Sequence, residues 1–477
     1  MGIKINLHKN DAKMSLKSSK YQLIVFNSQK SSLVSESLKH KIKRKNINIK
    51  DLMKESVTIE DQNNNVIVYL YASDLEPYKR QTLIRKSLKN ILDENPEEIT
   101  LISENKDWVE DLIYVALINS QDLPTRKSKN IKNKLKSIQC YSSVTKLNLK
   151  EIQAVVQGNT LSRELTMTPP NELTPSIYRT LVKKLAKQNG WKIKEYTMPD
   201  LKKMGAGAFY AVGQGSDPQD AAIVHLTYSP KNAKKNITLV GKGICFDTGG
   251  HNLKPSKYMF SMHEDMNGSA TVLGILQAAS ISNLPVKIDC WLAIAQNHIG
   301  PKAYKQNDVV KALNGKTIEI IHTDAEGRMV LADTLTLASK NKSDLIMDFA
   351  TLTGCMAVAM GDRFSGIFSN KSDIACLAVG AGRKSGERVC SFPLDEDYED
   401  DIKSDIADIK QCTLEGGPDH IHAARFLLQF LTDQNAPWLH VDLSSSNKKG
   451  GLGAANSDVN GFGVNFGFKL IQDLMNK

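Results

Sequence analysis

No run of eighteen apolar residues occurs anywhere in this chain of 477 residues, so no segment is long enough to cross a bilayer as a helix. Residues 1–9 contain no extended apolar stretch of the kind a secretory leader needs, and Asn6 spoils the match to a myristoylation signal. Cysteine is sparse: there are seven, an odd number, with no C-x-x-C pair between Cys140 and Cys412. That argues against a disulfide framework and for a reducing compartment. A cytoplasmic protein is expected. Phosphate-binding signatures are missing as well. Gly241-Lys242-Gly243 lacks the spacing of a P-loop, and Gly205-Ala206-Gly207 follows a helical run instead of the strand that a dinucleotide fingerprint requires. The glycines at 205 and 207 are expected to close a helix and admit tight packing.

What is present suits a globular protein of two domains, since 41% of the residues are hydrophobic and the chain exceeds one ordinary core. The formal charge of +10 is uneven: residues 1–150 hold 27 Lys and Arg against 17 Asp and Glu, which leaves 35 of each for the remainder. The excess therefore lies wholly in the first third. A basic region of this kind raises a second reading, a nucleic-acid-binding or regulatory protein. Residues 39–50, the densest cluster, contain no aromatic side chain on which a base would stack. A solvated lysine-rich loop or face is the simpler expectation there.

Periodicity predicts strands at Tyr21–Phe26, Val66–Tyr71, 99–102 and 137–141, helices at 75–95 and 108–120, and a loose polar end over 1–20. Alternation of strands and helices implies a small parallel or mixed α/β domain, residues 1–147, followed by a linker helix over 148–168 that Pro169-Pro170 ends. Residues 169–477 form the second domain, with helices at Pro175–Asn189 and Met198–Met204 and strands near 191–196 and Ala222–Tyr228. Near-continuous apolar runs at 237–240, 286–296 and Leu345–Ala350 predict a mixed, mostly parallel sheet covered on both faces. The fold class is α/β throughout.

Chemistry concentrates in two stretches. Residues 317–321 read as a buried strand and run into Thr323-Asp324-Ala325-Glu326-Gly327-Arg328, ahead of a helix over 330–340. A strand-to-helix turn is where α/β proteins place their sites. Two carboxylates at i and i+2 of an extended chain share a side, and Gly327 is expected to allow the bend that leaves Arg328 beside them. The second stretch begins with Lys242 inside an apolar strand and continues through Phe246-Asp247-Thr248-Gly249-Gly250 to Lys254-Pro255 and Asp265. Four carboxylates, Asp247, Asp265, Asp324 and Glu326, balance two divalent ions, and hard or borderline ions such as Mn²⁺, Zn²⁺ or Mg²⁺ suit such donors. Taken singly, these residues read as turn, cap or surface groups; taken together and in order, they read as a metal site. Cys245 lies among them, but its apolar surroundings favour packing.

These motifs resemble those of the M17 leucyl aminopeptidases. The family signature N-T-D-A-E-G-R-L stands here as His322 to Met329, its V-G-K-G, F-D-S-G-G, K-P and D-M elements as Val240 to Met266, and its T-P-P-N-x-L-T-P element as Thr168 to Pro175. The resemblance implies an exopeptidase in which Lys242, Asp247, Asp265 and Glu326 hold one metal and Asp247, Asp324 and Glu326 the other, with a water activated between them. Lys242 would ligate as the neutral amine, and bringing a lysine from about 10.4 to 7 costs about 4.6 kcal/mol. The resemblance further gives Lys254 the reaction's oxyanion and Arg328 a bicarbonate acting as base, so that two cations are left uncompensated. It gives Met262, Thr351, Leu352 and Gly354 the substrate, a short peptide with a free N-terminus beginning with Leu or Met. A homo-hexamer is implied too. His322 replaces the signature's Asn, and it and His251 are expected to pack around the site without ligating.

Overall fold

A computed structural model of the chain describes residues 2–9, 19–28, 30–103, 105–143 and 146–477. The chain divides into two compact units: residues 1–156 with 383–386 and 449–460, and residues 157–382 with 387–448 and 461–477. The division falls within the helix Leu149–Thr166.

The first unit is a six-stranded sheet of β1 (Lys4–Lys9), β2 (Tyr21–Phe26), β3 (Val57–Glu60), β4 (Val66–Tyr71), β5 (Glu98–Ser103) and β6 (Ser137–Ser142), in the order β1-β6-β5-β2-β4-β3. Only the β3–β4 pair is antiparallel. Residues 1–20, expected to include a loose end, contribute a strand that the sequence does not announce: β1 pairs in parallel with β6, Lys4 opposite Ser137. Part of that expectation, residues 10–18, lies outside the described residues. The basic cluster is mostly helix rather than loop. Glu36–Lys45 buries only Leu38 and turns its lysines to solvent, as a helix that carries one apolar contact should.

The second unit contains β7 (Lys192–Thr197), β8 (Ala222–Tyr228), β9 (Lys235–Asp247), β10 (Val286–Asn297), β11 (Val309–Lys311), β12 (Thr317–Glu319), β13 (Leu345–Ala350), β14 (Ser365–Ser369), β15 (Val389–Ser391), β16 (Ile409–Lys410) and β17 (Trp438–Asp442). Eight of them form a sheet in the order β15-β14-β17-β13-β9-β10-β8-β7. Its four central strands, β17, β13, β9 and β10, run parallel. Their apolar content follows from burial on both faces: Ile237, Leu239, Val240 and Ile244 of β9 are fully enclosed. Strand alternation sends Gly241 and Gly243 toward the helix Asn267–Ser282, where a Cβ on Gly241 would come within 2.5 Å of the Ser269 backbone. Lys242, between them, points the other way, to the helix Glu326–Ala338.

Two expectations change here. The strand before the acidic motif is short, β12, and belongs to a separate three-stranded sheet β11-β12-β16. The following helix begins at Glu326, four residues earlier than the sequence predicts. Gly327 is thus helical and makes no bend. It is small because a Cβ there would lie 2.6 Å from Lys242 Cε and 2.7 Å from its Nζ, so any side chain would displace that lysine. The glycines at 205 and 207 behave as expected. Gly205 caps the Met198–Met204 helix at φ 79°, and a Cβ on Gly207 would meet the Lys311 carbonyl at 2.3 Å.

Candidate metal centre

The site lies at the carboxyl ends of the central parallel strands, where the chain leaves the sheet and side chains face open space. β9 ends on Asp247, buried at 2% exposure. The chain then turns through Gly249 and Gly250, both at positive φ, and brings Lys254 back over that carboxylate. At Gly249 there is no room for a side chain, since a Cβ would meet the Asn252 carbonyl at 2.5 Å. A 3₁₀ turn, Met262–Met266, supplies Asp265, and the first residue of the Glu326–Ala338 helix supplies Glu326. One oxygen each from Asp247, Asp265 and Glu326 lies within 4.8 Å of the others.

Two ammonium groups hold these acids together. Lys242 Nζ lies 2.8 Å from Asp265 Oδ1 and 2.9 Å from Glu326 Oε1, and donates to the Thr351 carbonyl at 2.9 Å. Lys254 Nζ lies 2.9 Å from Asp247 Oδ2 and 2.5 Å from Asp324 Oδ1. Burial pulls the Lys242 ammonium down, but Asp265 and Glu326 outweigh it and raise it. Only when divalent ions neutralise those carboxylates does the balance turn toward the neutral amine a ligand requires. The acids show the same deficit of positive charge. Burial, with Glu326 and Asp247 acting against Lys242, pushes Asp265 up to about 8. Burial together with Asp247 and Glu326 pushes Asp324 up to about 7. Asp265 Oδ2 is enclosed and has no hydrogen-bond partner among the described residues. An orphaned carboxylate oxygen and crowded acids are what a cation site needs, so these residues fit divalent metal.

A cavity of about 660 Å³ opens on this cluster, lined among others by Lys254, Met262, His322, Thr351, Leu352 and Gly354. Thr351 donates its hydroxyl to Asp265 Oδ1 at 2.7 Å, so the cavity wall and the acids are joined. Arg328 stands apart. It is 2% exposed and is not among the residues lining the cavity. Its Nη2 reaches both carboxylate oxygens of Asp419 at 2.8 Å, and its Nη1 donates to the Gln411 carbonyl at 3.0 Å. Asp419 therefore compensates Arg328, and of the expected pair only Lys254 would be left over once two divalent ions balanced the four acids. Cys245 is buried and lies outside the acidic cluster. His251 Nδ1 meets the Tyr304 carbonyl at 3.0 Å, while His322 Nδ1 accepts from the Asp324 N–H at 3.3 Å.

Sequence reasoning missed several supporting groups. Asn297 Nδ2, at the end of β10, donates to Asp247 Oδ1 at 2.8 Å and to the Thr323 carbonyl at 3.0 Å. The Tyr304 hydroxyl donates to the same carbonyl at 2.8 Å. Asn297 had one available signal: it is the polar residue that ends a buried apolar run, a position where α/β strands deliver functional groups.

Residues 160–466 match the model of the cytosol aminopeptidase family, catalytic domain. A probable cytosol aminopeptidase of Prochlorococcus marinus (strain AS9601) is 39% identical over 359 residues, 74% of this chain and 72% of the relative. One from Pseudomonas fluorescens (strain SBW25) is 39% identical over 297 residues, 62% of this chain and 59% of the relative. Among solved structures, the leucyl aminopeptidase of Trypanosoma brucei in complex with bestatin superposes with a TM-score of 0.84 at 25% identity, covering 98% of this chain and 96% of that one. The bottromycin maturation enzyme BotP in complex with Mn gives 0.84 at 26%, covering 96% of this chain and 100% of that one. The chain belongs to the cytosol aminopeptidase family and is a metal-dependent aminopeptidase.

Proposed function

We propose that this aminopeptidase binds two divalent ions per chain, Mn²⁺ or Zn²⁺ with Mg²⁺ an option at one site, and removes an N-terminal Leu, Met or similar residue from short peptides. The observation that carries the proposal is the enclosed trio Asp247, Asp265 and Glu326 with the unpartnered Asp265 Oδ2. Lys242 and Asp324 would complete the ligand set, with Asp247 and Glu326 serving both ions. When bound, such a metal pair lowers the pKa of a water and polarises a peptide carbonyl. The protein's own groups do the remainder. Lys254 lines the cavity as a cation and meets the negative charge that develops on the scissile carbonyl oxygen. Met262 faces the substrate's first side chain, and Thr351, Leu352 and Gly354 contact the substrate from the cavity wall. Residues 169–477 form the catalytic domain on this proposal, with 148–168 a linker helix and the basic residues 1–147 a separate domain.

Arg328 is proposed to hold a bicarbonate base. Asp419 occupies the Nη2 face of the guanidinium, so the bicarbonate would displace that carboxylate or meet Nε, which has no hydrogen-bond partner among the described residues. If it does, added bicarbonate raises the activity of the parent, and Arg328→Ala loses that stimulation along with about 10²–10⁴ in rate. A variant that still responded to bicarbonate as the parent does would remove Arg328 from this role.

Assembly as a homo-hexamer in the cytoplasm is proposed on the family resemblance. No described helix is long and apolar enough to cross a membrane. Light scattering should give about six times the chain mass of 52.8 kDa; a mass equal to that of one chain would contradict the hexamer. The nucleic-acid reading is not favoured, because the family match and the acidic cluster lie outside the basic first third.

A further inference from the structure

Three consecutive residues of the cavity wall, Thr351 to Thr353, are fixed from two directions. Thr351 is held by Lys242 and Asp265, through its carbonyl and its hydroxyl. The next two residues are held by a group no motif includes, Asp442, the last residue of β17. Its Oδ1 accepts the Leu352 N–H at 3.0 Å and the Thr353 N–H at 3.4 Å, and its Oδ2 accepts the Thr353 hydroxyl at 2.6 Å. The Thr353 Oγ1 in turn accepts the Met356 N–H at 3.2 Å and opens the turn that carries Gly354. Strand pairing sets Asp442 opposite Ala350, the residue from which the wall departs.

The support beneath Asp442 is rigid. Asp442 is itself only 1% exposed. Two residues earlier, on the same face of β17, His440 Nδ1 lies 2.5 Å from Asp348 Oδ1, and Trp438 Nε1 donates to Asp348 Oδ2 at 2.7 Å. Asp348 and His440 are fully enclosed. A carboxylate that satisfies two backbone N–H groups and a hydroxyl at once, on so fixed a base, leaves the wall a single conformation. Nothing in its contacts serves the acidic cluster directly.

We propose that Asp442 is a positioning residue that fixes the 352–354 wall and thereby sets the selectivity for the substrate's first side chain. The inference rests on the reading of that wall as a substrate-contacting segment beside Met262, in the cavity that takes this side chain. The test compares Asp442→Ala and Asp442→Asn with the parent on leucine and alanine anilides, alongside bound metal and thermal unfolding. Losing hydrogen bonds to a charged acceptor should lower kcat/KM for the leucine anilide by about 10- to 100-fold in Asp442→Ala, mainly through KM. Metal content should be unchanged and the leucine-over-alanine preference should shrink. Asp442→Asn should recover part of the preference, because its Oδ1 still accepts the Leu352 N–H. An unchanged preference in a folded, metal-loaded Asp442→Ala would overturn the inference, and so would equal losses on both substrates in step with lost metal. A parent without any leucine preference would overturn the reading of the wall, and the inference with it.

Discussion

Asp247→Ala is expected to lose both metals and to hydrolyse peptides no faster than background. Asp247 is held from several sides of the site. Its Oδ2 meets Lys254, its Oδ1 accepts from Asn297 at 2.8 Å and from the Gly249 N–H at 2.9 Å, and it belongs to the 4.8 Å trio. A carboxylate shared by two ions takes a ligand from each when it is removed, and the remaining acids no longer balance two dications. Glu326→Ala should behave alike. Asp324→Ala, at the rim with a side chain 26% exposed, should lose mainly one. Elemental analysis of the purified proteins checks this; two retained equivalents in Asp247→Ala or Glu326→Ala would break the shared-ligand assignment.

The second large effect separates chemistry from metal binding. Lys254→Ala should lower kcat by about 10²–10³ while KM and metal content stay near those of the parent, since on the proposed role the ammonium acts on charge that appears only in the transition state. Lys254 is well placed for this, on the cavity wall with its side chain 15% exposed. Loss of metal from Lys254→Ala would show that its pairing with Asp247 and Asp324 supports the ligands instead.

How far the sequence could be read depended on the length of each signal. β9, β10 and β13 present long apolar runs that are legible in the sequence, and Asp247 stands at the end of the first of them. β14, β15 and β17 have only three to five residues each and lie outside every motif of the site, so nothing in the sequence ties their ends to it. Asp442 was therefore invisible, although it stands at a strand end just as Asp247 does. Gly327 was singled out for the wrong reason. Its need for space comes from Lys242, 85 positions earlier, and local backbone rules carry no such information. Asp419 is 91 residues from Arg328, so the neutralisation of that arginine could not be inferred from the motif containing it.

The central claim is a pair of shared metals at the carboxyl ends of the parallel strands, and titration of metal into the chelator-treated parent tests it most directly. Activity on a leucine anilide should vanish with chelation and return as Mn²⁺ or Zn²⁺ is added, with two equivalents bound per chain at saturation. Hydrolysis that survives complete chelation, or full activity with a single bound equivalent, would contradict it.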